Sequence, residues 1–575
     1  MKSDPNIIVD PTKVTLSKND IKVICILISM VIPFYTAVEI STFICDQFTF
    51  YSFLTERGLP YGYGISIDGI NSTEMKLKQQ DAQKQTSLVQ STNNFAAVAP
   101  GLISTLIVGY ISDRFGRKIA LGILIAGEAS QVVAVAVVVF FRLTPWALVA
   151  SNVLEGLIGG GLLSAIAQFS VCITDLTNYD QLKKSTSIPK SVYERRRWIF
   201  LTLIDGLACL SLAIASMIAG SLIHTYGFNI TMIVCILIYI PVIILIFFLP
   251  ETNLVNQLKC DTEINVYNHY DKLTKNENHT TMKLSCWQIC CQKIKQVLMT
   301  VISSNPVLII ILGILFIVSI SAMVDSPFVT VYLMSEPFWW NSKKLGLSNG
   351  ITEACSALLS IIIVNILSRI QLSESTRLNN KDNHESTDDN DDKLAENKIN
   401  FTLQKTLFNL LIFALNLMLL NRILMTIAYL FSSFTANTIV YIGLVPKLAK
   451  NINFPLLRTL ITNWSGTQRK GLILSFASFI SRIGLLISVS ALPLVYSATL
   501  SYFPGAVFLV CASMLFVAIC AAMVSNFLPK LVRLKILQTA EAVAIRMKKP
   551  ELCVQNQYLQ PLLLPWPTTK PITQQ

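Results

Sequence analysis

The sequence predicts an all-α membrane protein with twelve transmembrane helices in two six-helix bundles. Three observations carry that prediction. Of 575 residues, 53% are hydrophobic and only 14% charged, whereas soluble domains carry roughly 25% charged residues. Stretches of about 20 apolar residues, the length a bilayer requires, recur in two sets of six. Between the second and third stretches stands a tight charged turn, Gly109-Tyr110-Ile111-Ser112-Asp113-Arg114-Phe115-Gly116-Arg117-Lys118, which has no purpose in a soluble core.

In chain order, the first set of spans lies near 21–45, 94–112, 119–141, 146–173, 198–222 and 229–249. The first span is too long for a signal h-region and lacks a small-residue cleavage site, so it reads as a membrane helix. Residues 1–20 before it form a cytoplasmic tail, and 21–250 form the N-terminal bundle. The polar stretch 46–92 reads as an outer loop, and its sequon Asn71-Ser72-Thr73 is the well-placed glycosylation acceptor. In the fourth span, Gly156-Leu157-Ile158-Gly159-Gly160-Gly161 is followed by Leu162-Leu163. A phosphate cradle would need Lys-Ser/Thr there, so close helix packing through small residues is the reading.

Residues 251–304 are polar and read as a cytoplasmic linker. The second set follows near 305–333, 346–369, 406–432, 436–460, 471–494 and 503–528, making 305–529 the C-terminal bundle. Within it, 371–402 carries Asp388-Asp389-Asn390-Asp391-Asp392 and cannot bury a core, so an unstructured cytoplasmic loop is expected. Residues 530–575 form a cytoplasmic tail.

The net charge of +12 is explained by topology. Arg114, Arg117 and Lys118, then Lys183 to Arg197, Arg469 and Lys470, and finally the tail bases all fall on one side of alternating spans. The positive-inside rule makes that side cytoplasmic, with both termini there, and nucleic-acid binding is not implied. Thirteen cysteines are scattered without a disulfide framework. Cys286, Cys290 and Cys291, just before the seventh span, suit palmitoylation or remain free thiols. The four histidines sit at span ends or in loops, so no imidazole relay, intramembrane metal site or cofactor is expected.

Charges within spans are costly and functional by default, at about 2.5–3.5 kcal/mol on insertion scales. The spans hold Glu39, Glu128, Glu155, Asp205, Asp325, Glu353, Lys447, Lys450, Arg458 and Arg482. Acids dominate the first bundle, while bases dominate the tenth and eleventh spans, where Pro455 loosens the helix. A cationic wall of Lys450, Arg458 and Arg482 facing carboxylates suits an anionic organic solute. The competing reading is that these charges pair across the bundles and hold a closed state, and Lys447 can snorkel outward. Any proton coupling falls to carboxylates, since burial favours their neutral form, with Asp205 and Glu155 the candidates.

The turn's pattern, G-x-x-x-D-R-x-G-R-K, resembles the cytoplasmic signature of the major facilitator superfamily. Further stretches are similar to solute carrier family 46, the proton-coupled folate transporter and its relatives. These are Pro337-Phe338-Trp339-Trp340-Asn341-Ser342-Lys343 after the seventh span, Val495-Tyr496-Ser497-Ala498-Thr499-Leu500 with Pro504-Gly505 between the last two, and Pro455-Leu456-Leu457-Arg458 with Gly471. Asp205, followed by Ala219-Gly220, stands where the folate member has a fifth-helix glutamate tied to coupling. The resemblance implies that Gly109, Asp113, Arg114, Gly116, Arg117 and Lys118 form the gating motif, that Arg458 meets the substrate and that Asp205 takes part in coupling. There are departures. Ser321-Ala322-Met323-Val324-Asp325 lacks the family's seventh-helix histidine, the fourth-helix arginine common in proton-coupled facilitators is Asn152, and Arg482 matches none of the motifs. The chain reads as a divergent member.

The expected function is alternating-access transport of an anionic or amphipathic organic solute, folate-like or related, with proton coupling open. The alternative is a solute receptor or sensor on the same fold. An enzyme is not expected, because no nucleophile–base pair or metal cluster lies within the spans. Plasma and lysosomal membranes both remain open.

Overall fold

The structure is a computed structural model that describes residues 18–59, 73–176, 190–252, 306–322, 327–382, 389–464 and 470–547. Asn71, Asp325, Cys286, Cys290, Cys291 and almost all of the 251–304 linker lie outside the described residues. All regular structure within them is helical. The first half comprises α1 (Lys18–Glu56), α2 (Thr73–Phe115), α3 (Arg117–Phe140), α4 (Ala147–Ile158), α5 (Leu162–Leu176) and α6 (Lys190–Phe248). The second comprises α7 (Pro306–Ala322), α8 (Pro327–Leu333), α9 (Ser342–Asp382), α10 (Asp389–Ala428), α11 (Ser433–Lys447), a 3-10 turn Lys450–Ile452, α12 (Asn453–Trp464), α13 (Lys470–Thr499) and α14 (Ala506–Met547). Residues 524–575 form a unit separate from 1–523.

Eight of these helices are long and apolar enough to cross a bilayer. The apolar part of α6 alone spans Leu203–Phe248, which as one straight helix would measure roughly 70 Å, over twice the hydrocarbon thickness. Gly227, at φ 79° and ψ −175°, breaks it. On either side of the break, Ser216 Oγ donates to Glu39 Oε1 at 2.7 Å and Cys235 Sγ to the Ala37 carbonyl at 3.3 Å. Both arms therefore return to the same turn of α1, and α6 is a hairpin of two passes. With α4–α5 and α11–α12 read as interrupted passes, and α7 with α8 as one pass, the arrangement comes into line with a twelve-helix fold.

Helices reach further than hydropathy implies. The polar stretch Thr73–Asn93, expected in the outer loop, opens α2, and Gln79, Gln83, Thr86, Ser87, Gln90 and Asn93 are buried there. A hydropathy window cannot see a face that is packed and polar at once. The acidic loop is also narrower than expected, because α9 covers 371–382 and α10 covers 389–402. Extending a formed helix requires no new nucleation. Likewise α14 runs on to Met547, well into the expected tail.

The halves meet along α2 against α13 and α6 against α9. Lys76 Nζ pairs with Glu336 Oε1 at 2.9 Å, Lys84 Nζ donates to Ser501 Oγ at 2.8 Å, and Ser91 Oγ to the Ser490 carbonyl at 2.5 Å. Gly220 and Gly346 cross so closely that a Cβ on Gly220 would lie 2.5 Å from the Ser342 carbonyl oxygen and 2.9 Å from Gly346 Cα. The contacts named here seal the Lys76 end, opposite the charged turn.

Candidate functional site

At the charged turn, Gly116 takes φ 117° between α2 and α3, a conformation that favours glycine. A Cβ there would run into the Glu251 carboxylate. That carboxylate caps α3, accepting from the Arg117 amide at 2.7 Å and the Lys118 amide at 3.2 Å, where a helix N-terminus favours an anion. Arg117 is the hub. Its Nε donates to Asp175 Oδ2 at 2.7 Å, and its Nη1 to Asp113 Oδ1 at 2.6 Å and Ser112 Oγ at 2.8 Å. Lys118 Nζ reaches the Phe247 carbonyl at 2.8 Å. One residue thus ties α2, α3 and α5 together, and Glu251 and Lys118 add the end of α6. Arg114 turns to Tyr110, at 2.5 Å from its hydroxyl, and a Cβ on Gly109 would meet nothing within 4 Å. Asp175 and Glu251 are absent from the sequence reading. An acid directly after the sixth span, at Pro250-Glu251, is the signal that could have found the second.

Between the halves, Asp205 on α6 and Arg458 on α12 are both exposed. Each lies within electrostatic reach of the other across the two halves, and Gly206, beside Asp205, abuts Ile361 of α9. The pair thus brings one residue from each half within reach of the other. No ion pair joins Arg458 to any carboxylate among the described residues. Lys450 differs: its Nζ pairs with Glu353 Oε1 at 2.9 Å, and Asn451 Nδ2 donates to Glu353 Oε2 at 3.3 Å. Glu39, bonded to Ser216, lies in reach of that pair from the other half. The second half therefore brings an acid to the gap along with its bases, so its wall is less one-sided than expected. Lys447, for which outward snorkelling was one option, is buried.

Arg482 is half-buried and reaches across the halves, its Nη1 donating to Thr105 Oγ1 at 2.6 Å and lying 3.4 Å from Ser164 Oγ. Those two hydroxyls bond to each other. Glu155, on α4, faces Glu128 of α3 rather than the Asp205–Arg458 gap. A buried cation absent from the sequence reading is Arg422 of α10, 2% exposed, with Nη2 donating to the Ser321 carbonyl at 2.8 Å. A lone arginine inside the apolar ninth span was the signal. Among the described residues no group of His, Cys, Asp and Glu is arranged to hold a metal ion, and no cysteine forms a disulfide.

The sequence pattern of the Major Facilitator Superfamily matches residues 82–377. The chain belongs to that superfamily and is a membrane-spanning secondary transporter of a small organic solute, not an enzyme. Its similarity to solute carrier family 46 is specific. It is 21% identical over 445 residues to the human lysosomal proton-coupled steroid conjugate and bile acid symporter, covering 76% of this chain and 79% of that one. The Bos taurus counterpart is 21% identical over 496 residues, covering 84% and 90%. Among solved structures, the D-xylose–proton symporter superposes with a TM-score of 0.52 at 13% identity, over 88% of this chain and 97% of that one. The inward-open xylose transporter XylE from E. coli gives 0.52 at 13% identity, over 88% and 95%. At such identity these likenesses define the fold alone.

Proposed function

We propose that this protein carries an anionic or amphipathic organic solute by alternating access in symport with protons, with Arg458 meeting the solute's anionic group. The observation that carries the reading is Arg458 itself: exposed, within reach of Asp205, and in no ion pair among the described residues. A guanidinium left in such a position recruits a carboxylate, sulfate or phosphate. Asp205 and Glu155 are assigned to proton coupling, Asp205 because, among the described residues, the charged neighbour in its reach is that same Arg458. Arg482 borders the solute path and senses which state the halves are in. Lys450, already paired, orients Glu353 before it serves the solute. The turn residues Asp113 and Arg117 form the gate on the cytoplasmic side.

With that side cytoplasmic, as the distribution of basic residues indicates, the Lys76 end faces outward or into a lumen. The relatives' printed names, proton-coupled and lysosomal, favour the lysosomal membrane over the plasma membrane. The decisive experiment reconstitutes the protein in proteoliposomes and follows labelled taurocholate, a bile acid, under an inward acid gradient. Uptake should rise with the gradient and be lost in Arg458→Ala. Accumulation indifferent to both would remove the coupling and the solute site together.

A further inference from the structure

Glu128 and Glu155 oppose each other where α3 packs on α4, and we propose that they share one proton and transmit its binding to the helix break at Gly160. This deepens, and rests on, the proton-coupled reading, adding Glu128 and a route to the second half.

The register of the two helices places the carboxyls together. Gln131 Nε2 donates to Asn152 Oδ1 at 2.9 Å, and a Cβ on Gly127 would lie 3.0 Å from the Gly159 amide nitrogen. Antiparallel helices advance in opposite senses, so one turn back on α3 and one turn forward on α4 from the Gln131–Asn152 rung bring Glu128 to Glu155. The two side chains lie in electrostatic reach of each other. Glu128 is 2% exposed, and neither of its oxygens receives a hydrogen bond from a conventional donor among the described residues. Carboxylates only accept, so a bond between two carboxyl groups requires that one of them carry hydrogen. The other titratable groups in reach are Tyr35 and Cys45 of α1 and Tyr239 of α6. The Tyr239 hydroxyl is engaged by the Ile125 carbonyl at 2.9 Å. Among the described residues none of these neighbours is a cation.

The pair is joined to the inter-half contact by very short links. The Glu155 carbonyl accepts from both the Gly159 and Gly160 amides, at 3.0 and 3.2 Å, ending α4. Glu155 Oε1 sits 2.8 Å from where a Cβ of Gly161 would be, and one on Gly160 would lie 2.7 Å from both Ser164 Oγ and Thr105 Oγ1. Those hydroxyls are the ones Arg482 holds from the second half. When the shared proton leaves to water, two like charges face each other in apolar surroundings, α3 and α4 separate, and the break moves with the hydroxyls that bind Arg482. Rebinding a proton from water closes the O–H bond again, and no other bond forms or breaks.

The test uses the full chain in lipid bilayers. Infrared titration from acid to neutral pH should show a carbonyl band of a buried protonated carboxyl that disappears in Glu128→Gln and in Glu155→Gln and survives, shifted, in Glu128→Asp. In proteoliposomes, one pH unit sustains at most about tenfold accumulation per proton. Taurocholate accumulation should fall from that range to about onefold in either glutamine variant, with solute exchange retained. If Glu128→Gln does not fold, Glu155→Gln and Glu128→Asp carry the same comparison. A band and a pH profile unchanged by these substitutions overturn the shared-proton pair while leaving symport intact. Wild-type uptake that ignores pH overturns symport itself, and the band then decides the pair alone.

Discussion

Arg482 Nη1, in the second half, donates to Thr105 Oγ1 in the first at 2.6 Å. It is the link nearest the charged turn among the cross-half hydrogen bonds named above. A hydrogen bond from a charged group contributes about 1.5–3 kcal/mol, so Arg482→Met should shift the balance of states roughly ten- to hundredfold away from this one. Spin-label distances across the charged-turn end would read that shift. An unchanged distribution would show that the bond does not discriminate between states.

The crossing of Gly220 and Gly346 predicts an asymmetry among glycine substitutions. Gly346→Ala drives a methyl into the Ser216 carbonyl and the Gly220 backbone, and overpacking of that kind costs about 1–3 kcal/mol. Thermal denaturation should show a lower midpoint, and cysteines introduced at the Lys76 end should label faster. Gly109→Ala meets open space and lies inside a helix, where alanine is favoured by about 1 kcal/mol. Its midpoint should hold or rise. Loss of uptake without loss of stability in Gly109→Ala would assign this glycine to the opposite state of the cycle.

Glu251 serves two amides of α3 at once. Replacement by alanine removes a cap, at about 0.5–2 kcal/mol, and frees the loop at Gly116. Arg117→Lys should be nearly as damaging as Arg117→Ala, because an ammonium cannot span Asp113, Asp175 and Ser112 with a planar fork. Denaturation midpoints of the three variants would rank them, and a wild-type midpoint in Arg117→Lys would contradict the hub.

Lys450 and Glu353 pair within the second half. Either single charge reversal should impair uptake, and the exchange Glu353→Lys with Lys450→Glu should recover most of it if the pair orients the wall. A solute-binding Lys450 would leave the exchanged protein inactive. Taurocholate uptake by the three variants separates the two roles.

The apolar runs made the spans legible, and the turn from Gly109 to Lys118 made the hinge of the first half legible. Arg458 stands out in the sequence because a charge far from a span's ends needs a polar neighbourhood. Three features were hidden for physical reasons. The start of α2 is buried through Gln, Ser and Thr, which hydropathy counts as water-facing. Asp175 and Glu251 reach Arg117 from helices distant in sequence, and spacing along one helix carries no trace of that. The opposition of Glu128 and Glu155 depends on the register of two helices; each glutamate alone reads as an isolated charge.

Among the described residues, the fourth and tenth passes are built from separate pieces: Ala147–Ile158 with Leu162–Leu176, and Ser433–Lys447 with Asn453–Trp464. They stand one in each half, six passes apart. The second, third, eighth and ninth passes are continuous rods. Such a layout assigns bending to a few joints spaced by the duplication itself, and spares the remaining helices from deforming as the molecule cycles. Rigidifying one joint, for instance by replacing Gly160 and Gly161, should therefore slow turnover without altering how far the rods travel.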